Sequence, residues 1–173
     1  MGVVDADLGL MGSDLRSGER TFQLLSQVSG RAGRGEKKGV VYLQTLYPEN
    51  AVLRSLVTND VNSFWELEKR TRRVLKMPPY GKLAAIIVSG VKQEDVEKTA
   101  IWLGHTAFND ASVSTLGPAP APIFMLRGNY RYRLLVKAAK NIRIQNVLGQ
   151  WLQKVKIPSS VRVEVDIDPY SFY

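Results

Sequence analysis

Three glycines in the segment Gly30–Gly35 have the spacing of a phosphate-binding loop, in which backbone without side chains lies close to a phosphate group. A P-loop continues with Lys and then Ser or Thr, whereas Glu36 follows here. A dinucleotide fingerprint would place glycine at position 38, which is Lys38. The glycines by themselves therefore indicate neither kind of nucleotide site.

The arginines between those glycines carry more information. Gln27, Gly30, Arg31, Gly33 and Arg34 have the spacing Q-x-x-G-R-x-G-R, directly after a predicted helix. A planar guanidinium can neutralise the charge that develops on a transferring γ-phosphoryl group. An ordinary solvated glycine-rich loop is the competing interpretation. The string resembles motif VI of superfamily 2 helicases, which implies that Arg31 and Arg34 act as arginine-finger cations, that Gln27 supports them, and that Gly30 and Gly33 lie against the nucleotide.

Further motifs run along the whole chain: Asp5–Leu10, Asp14–Arg16, Glu19–Leu25, Gln44–Thr45, Pro78–Tyr80, Gly117–Pro122, Tyr130–Tyr132 and Asp166–Pro169. With them, the chain resembles the C-terminal part of the PriA family of replication-restart helicases, also called primosomal protein N′. The resemblance implies a full-length ATP-dependent DNA helicase that unwinds with 3′-5′ polarity at stalled forks and assembles the primosome. It also implies a partial RecA-like lobe followed by a C-terminal domain.

The same resemblance implies ATP and Mg²⁺ as cofactors of the full-length protein. The chain has neither a P-loop lysine nor an acidic helicase motif to hold magnesium, so we expect no cofactor and no catalysis by the chain alone. Arg31 and Arg34 would then supply one half of an ATPase site. The zinc-binding cysteines of the family would lie in the missing region, and we expect no metal site here.

Composition points to an anionic partner. Lys and Arg number 24 against 16 Asp and Glu, a net charge of +8, of which +7 belongs to residues 49–173. The chain has no cysteine and one histidine, which excludes disulfides, cysteine zinc sites and thiol catalysis. Since no apolar run approaches the ~20 residues of a membrane span, we expect a cytoplasmic protein without a membrane partner.

A basic cluster occupies a predicted helix that ends before Pro78. Glu66 lies four residues before Arg70, and Glu68 four before Arg72, so two ion pairs are predicted. An ordinary solvated face is the alternative to DNA contact. The cations left over for DNA phosphates form one unpaired stripe, Lys69, Arg73 and Lys76.

A second basic segment mixes arginine with tyrosine. In a strand, Tyr130 and Tyr132 fall on one face and Arg131 and Arg133 on the other, which argues against a combined base-stacking platform. We therefore expect core or interface tyrosines, with Arg131 and Arg133 as candidates for DNA backbone contact. The alternative is that these arginines pair with outward acids of the last strand: Glu164, Asp166 and Asp168.

The PriA resemblance implies two kinds of protein partner, single-stranded DNA-binding protein and primosome proteins. Family members bind the acidic tail of single-stranded DNA-binding protein partly at the beginning of the last helix. The matching residues are Lys140, Arg143 and Gln145. An Arg-to-carboxylate fork suits an acidic peptide.

Hydrophobic periodicity predicts an α/β (α+β) chain. Its first part contains a helix from about Ser17 to Val28, a loop Gly30–Gly39 and a strand Val40–Thr45. Two helices follow, Ala51–Thr58 and Val61–Lys76, the second capped by Asn59 or Asp60. The remaining patterns have the ferredoxin-like split β-α-β-β-α-β order: strand Leu83–Ser89, helix Gln93–Phe108, a strand merged from Ser112–Leu116 and Pro122–Leu126, strand Asn129–Ala138, helix Asn141–Val155 and strand Val161–Asp168.

We assign residues 1–48 to the second helicase lobe, including motif VI, 49–80 to a helical connector and 81–173 to a PriA-type C-terminal domain. The leading hypothesis is a DNA- and protein-binding portion of a PriA helicase that binds forked or single-stranded DNA. The competing hypothesis is a non-helicase ferredoxin-like module that binds RNA, or a ribosomal or single-strand-binding protein. A lobe cut within its sheet exposes apolar surface, so the chain could self-associate there.

Overall fold

Helices and strands alternate along the residues that the structure, a computed structural model, describes: 1–10, 15–32 and 39–169. They form two units, residues 1–71 and 72–173. The elements are β1 (Gly2–Val3), α1 (Ser17–Ala32), β2 (Tyr42–Leu43), α2 (Ala51–Val57), α3 (Val61–Val74), β3 (Gly81–Gly90), α4 (Gln93–Thr106), β4 (Val113–Leu126), β5 (Asn129–Ala139), α5 (Ile144–Leu152) and β6 (Val161–Ile167).

The first unit packs helices beside a short parallel pair, β1 and β2. Its core centres on Ala6, Leu25 and Leu53, so α2 contributes to it together with the residues before Pro48. The Phe22 ring of α1 stacks on Phe64 of α3, with ring centroids 4.2 Å apart. The domain limits assigned at 48 and 80 stay predictions.

The start of α3 illustrates how one side chain fixes a helix boundary. The Asp60 carboxylate accepts a hydrogen bond from the Ser63 backbone N–H at 3.0 Å, so Asp60 is the cap. Asn59 has φ 54° and makes the turn before it. The Ser63 hydroxyl donates to the same carboxylate and holds the pKa of Asp60 below its ordinary value of 3.8, and the backbone bond adds to this shift.

The second unit is built on a four-stranded antiparallel sheet in the order β4-β5-β3-β6. Helix α4 connects β3 to β4, and α5 connects β5 to β6. This is the split β-α-β-β-α-β order that the periodicity predicts, and the α+β prediction is confirmed for this unit.

The core of the second unit lies between the sheet and its two helices. Ile86 of β3, Leu134 of β5 and Leu103 of α4 are fully or almost fully buried in it. Trp151 of α5 is buried in the same core, and its indole N–H donates to the Thr106 hydroxyl at 3.1 Å. That bond satisfies the polar group that burial of a tryptophan would otherwise leave unpaired.

Strand β4 is a single strand interrupted by proline. The two predicted extended segments join through Gly117, whose φ of 99° suits a residue without a Cβ. The ladder with β5 shifts register after Leu116 and again after Pro120. Proline cannot donate to a ladder, which agrees with the place of β4 at one edge of the sheet.

Two predicted helix ends are wrong. Helix α3 stops at Val74 because Lys76 has φ 51°, and the Met77 N–H bonds to the Arg72 carbonyl at 2.8 Å, as in a Schellman cap. The last helix begins at Ile144, because residues 140–143 form a turn in which the Ile142 N–H bonds back to the Ala139 carbonyl. Partly buried Ile142 extends the apolar period into that turn.

Candidate nucleic-acid interface

Strand β5 presents its two faces to different surroundings, as the alternation predicts. Tyr132 is buried on the helix side, where burial and the nearby Glu97 charge raise the pKa of its hydroxyl. The Phe124 ring meets Tyr130 and Tyr132 edge to face. The tyrosines are therefore used in packing, and the opposite face carries the cations of the strand: Arg131, Arg133 and Lys137.

The acids of β6 share that outer face but lie two strands away. In the register, Ile87 of β3 stands between Arg133 and Glu164. Two strand spacings amount to about 9.6 Å, so these acids are not the direct cross-strand neighbours of the β5 arginines. Glu164 instead pairs with Arg162 at 2.8 Å. The alternative that the last strand supplies partners for Arg131 and Arg133 stays a prediction.

Another of these acids, Asp168, is used by the backbone. Its carboxylate accepts from the Leu83 N–H at 3.1 Å, and its own N–H donates to the Leu83 carbonyl at 2.7 Å. These bonds fasten the end of β6 to β3.

A small cleft brings Lys76 together with Lys137. Its volume is about 90 Å³, and the Asp110 carboxylate also lines it. That carboxylate is engaged, since it accepts from the Ser112 and Val113 N–H groups at 2.6 and 2.8 Å. The remaining lining residues are Ala111, Ser112, Val113, Ser114, Ala138 and Ala139.

Two basic residues in this unit have the left-handed backbone that glycine, asparagine or aspartate normally adopts. Lys76 has φ 51° in the Schellman cap, and Arg127 has φ 50° in the two-residue turn between β4 and β5. Lys76 lies at the Lys137 end of β5, and Arg127 lies just before the other end. We call the resulting line of cations the cationic track: Lys76, Lys137, Arg133, Arg131 and Arg127.

The predicted unpaired stripe on α3 differs from what the structure shows. Glu66, expected to pair with Arg70, accepts from Lys69 at 2.8 Å. Arg73 lies 4.9 Å from the ring centre of Tyr80 in a cation–π contact. Lys76 follows the end of the helix, so the three residues do not form one unpaired helical stripe. As DNA contacts, they stay predictions.

The motif VI residues that the structure describes are exposed at the end of α1. Gln27, Gly30 and Arg31 belong to its last turns, so the prediction of a loop starting at Gly30 is wrong. Arg31 in the last turn complements the helix dipole. Gly33 and Arg34 lie outside the described residues, and the roles of all five in nucleotide chemistry stay predictions.

The predicted partner-binding residues are exposed. Lys140 and Arg143 lie in the turn before α5, and Gln145 lies in its first turn, so only Gln145 belongs to the helix. The site predicted at the beginning of a helix is therefore mainly a turn.

Two members of the cationic track were missed as site residues. Lys137 has the same strand parity as Arg131 and Arg133, and that signal was available in the sequence. The string Leu126–Asn129 contains a turn glycine, Gly128, after Arg127, but a left-handed arginine is rare enough that its φ could not be read from the sequence.

Comparison with known proteins identifies the family. Residues 73–170 match the model of the primosomal protein N C-terminal domain. The chain belongs to this family. It is 45% identical over 176 residues to the replication restart protein PriA of Rickettsia typhi, an alignment that covers 100% of this chain and 26% of the relative.

More distant PriA proteins show the same pattern. The identity is 42% to that of Synechocystis, covering 99% of this chain and 21% of the relative. The identity to the PriA of Bacillus subtilis is 36%, and that alignment covers 98% of this chain and 22% of the relative. The chain thus spans about a quarter of the length of its PriA relatives. Among the described residues, no helix is long and apolar enough to cross a membrane.

Proposed function

We propose that the second unit binds DNA through the cationic track and that the chain serves replication restart as part of a longer PriA protein. The observation that carries the proposal is the row of three cations on one face of β5, with Lys76 and Arg127 at its two ends. The names of the relatives support the place in replication restart.

The track suits a nucleic-acid backbone in spacing and length. Residues on one face of a strand recur every two positions, about 6.7 Å apart, so Arg131 and Lys137 are separated by about 20 Å along β5. Cations in a line neutralise successive phosphates and release the counterions condensed on them, which makes binding favourable and dependent on salt.

Backbone strain supports a functional reason for the two terminal cations. A left-handed L-residue costs roughly 1–2 kcal/mol, which glycine or asparagine would avoid or reduce at Lys76 and Arg127. Residues kept in such conformations concentrate at binding sites, where the side chain has a use that outweighs the cost. In the proposal, the side chains of Lys76 and Arg127 use their positive charges to contact DNA phosphates.

For the longer protein, we propose ATP-dependent 3′-5′ DNA unwinding, with residues 1–48 in a RecA-like lobe. The exposed Arg31 at the end of α1, together with Arg34, would contact phosphate oxygens of ATP and stabilise charge on the transferring phosphoryl group. Magnesium bound with the nucleotide would neutralise further phosphate charge. Arg31 fits that role in charge and exposure.

We also propose that the exposed turn at Lys140 and Arg143, with Gln145, binds the acidic tail of single-stranded DNA-binding protein. Lysine and arginine side chains there are accessible to carboxylates, and Gln145 adds a neutral donor. Primosome proteins are further partners of the longer protein in this proposal.

The DNA-binding proposal is tested by fluorescence anisotropy with labelled single-stranded and forked DNA at several salt concentrations. Replacing Arg131, Arg133 and Lys137 together with alanine should lower the slope of log affinity against log salt by about 2 for single strands, because each phosphate contact contributes about 0.7.

The matched control replaces three exposed lysines outside β5 with alanine: Lys92, Lys98 and Lys156. It changes the net charge equally and should leave the slope nearly unchanged. If both triple variants lower the slope equally, total charge and not the track explains binding. If the unaltered chain binds no DNA, the proposed function is wrong.

A further inference from the structure

The outer face of the sheet in the second unit is electrically divided. Its basic half is β5, with Arg131, Arg133 and Lys137. Its acidic half is the edge strand β6, where Glu164 and Asp166 point to the same side as those cations. The central strand β3 separates them with uncharged side chains, since Ala85 stands opposite Asp166 and Ile87 opposite Glu164. On this side of β3, Ile87 and Ser89 are partly exposed, whereas Leu83 and Ala85 are buried.

We infer that Glu164 and Asp166 make this face selective for one DNA strand over a duplex. The inference rests on the proposed DNA binding and names the form of DNA that the track accepts. Both carboxylates lie on an exposed strand, and the ion pair of Glu164 with Arg162 leaves β6 with a net negative outer face.

The two sides of the track offer different surroundings to a second DNA backbone. A single strand has one backbone, which β5 can follow along its length. A duplex carries a second backbone and one charge per roughly 1.7 Å of axis. Placed toward β6, that second backbone meets the carboxylates about 9.6 Å from β5.

A second backbone placed toward the other edge, β4, would meet no cation there. The outward residues of β4 opposite β5 are Ser114, Leu116 and Ala119, which carry no cation. A duplex can therefore place one of its backbones on the cations of β5, and its other backbone meets no further cations. The apolar side chains of Leu116 and Leu135 beside the track suit the unpaired bases of a single strand, whose faces are accessible for stacking and apolar contact.

At low salt, the carboxylates of the acidic half are close enough to a second backbone beside the track to repel it with little screening. The Debye length is about 8 Å at physiological ionic strength and about 30 Å at 0.01 M. Repulsion of a second backbone by Glu164 and Asp166 should therefore be strong in dilute buffer and weak near physiological salt. The gain in duplex affinity that follows removal of these two charges should therefore shrink as salt is added.

The test measures binding of the complete chain to a labelled single strand of mixed sequence and to the duplex it forms with its complement. In the double variant Glu164→Gln with Asp166→Asn, duplex affinity at low salt should rise about fivefold and single-strand affinity by less than about twofold. The selectivity ratio then shrinks, and circular dichroism checks that both proteins are folded.

The control is Glu49→Gln with Glu94→Gln, which removes the same charge from two exposed carboxylates outside this face. It should leave the ratio unchanged. Equal ratio changes in the two double variants, or no change in either, would overturn the inference while the proposed function stands. If the unaltered chain binds neither DNA, the proposed function itself fails.

Discussion

Replacing Lys76 separates the two roles that the structure gives this residue. Lys76 has φ 51° in the cap that ends α3 and lines a cleft with Lys137. In Lys76→Gly, the left-handed cost of roughly 1–2 kcal/mol disappears, while glycine loses about 0.5–1 kcal/mol more entropy on folding. The net gain of about 0.5–1 kcal/mol corresponds to a rise of about 3–6 °C in Tm for a unit of this size.

The matched variant Lys76→Ala keeps the strain and loses only the charge. Its Tm should stay close to that of the unaltered chain, whereas both variants should lose about 0.7 from the salt slope of single-strand binding. Differential scanning calorimetry and anisotropy titrations give the two quantities on the same samples. Equal Tm values for the two variants would refute the strain argument, and an unchanged slope in both would remove Lys76 from the track.

Two further predictions concern the first unit and α3. The hydrogen bonds from Ser63 lower the pKa of Asp60, so the stability they give is fully present above its ordinary value of 3.8 and is lost as the pH falls through the lower folded value. The Tm difference between the unaltered chain and Asp60→Asn should therefore be constant above about pH 5 and change below pH 4, and a difference independent of pH would contradict it. Leu46 is 84% exposed and, with Val4 and Leu8, lines an apolar cleft, so we expect concentration-dependent association that Leu46→Glu weakens in sedimentation experiments. A monomer at all concentrations would rule this out.

The sequence predicts the second unit well because periodicity and burial coincide there. Alternation along Asn129–Ala139 places tyrosines inside and arginines outside, and the structure confirms that division. The order of helices and strands follows from the same patterns. A buried face fixes the register of a strand, since a shift by one residue would expose the whole core side.

What could not be predicted depends on local backbone geometry and on distant neighbours. No periodicity reveals that a lysine at position 76 adopts a left-handed turn, or that the helix ending at Ala32 continues through Gly30. Spacing rules also misassigned Glu66, because partners at i+3 and i+4 are nearly equivalent on a helix. The cleft beside Lys137 depends on the chain approaching the sheet from sixty residues earlier.

The prolines of β4 have a consequence for how copies of the sheet can meet. Pro118, Pro120 and Pro122 remove backbone donors from one edge, so another chain cannot extend the sheet continuously there. At the other edge, the exposed side chains of Glu164 and Asp166 put charge on β6, which disfavours pairing with a strand of another molecule. Proline and exposed charge thus protect the two edges by separate means, and the acids that we propose for DNA selectivity serve one of them.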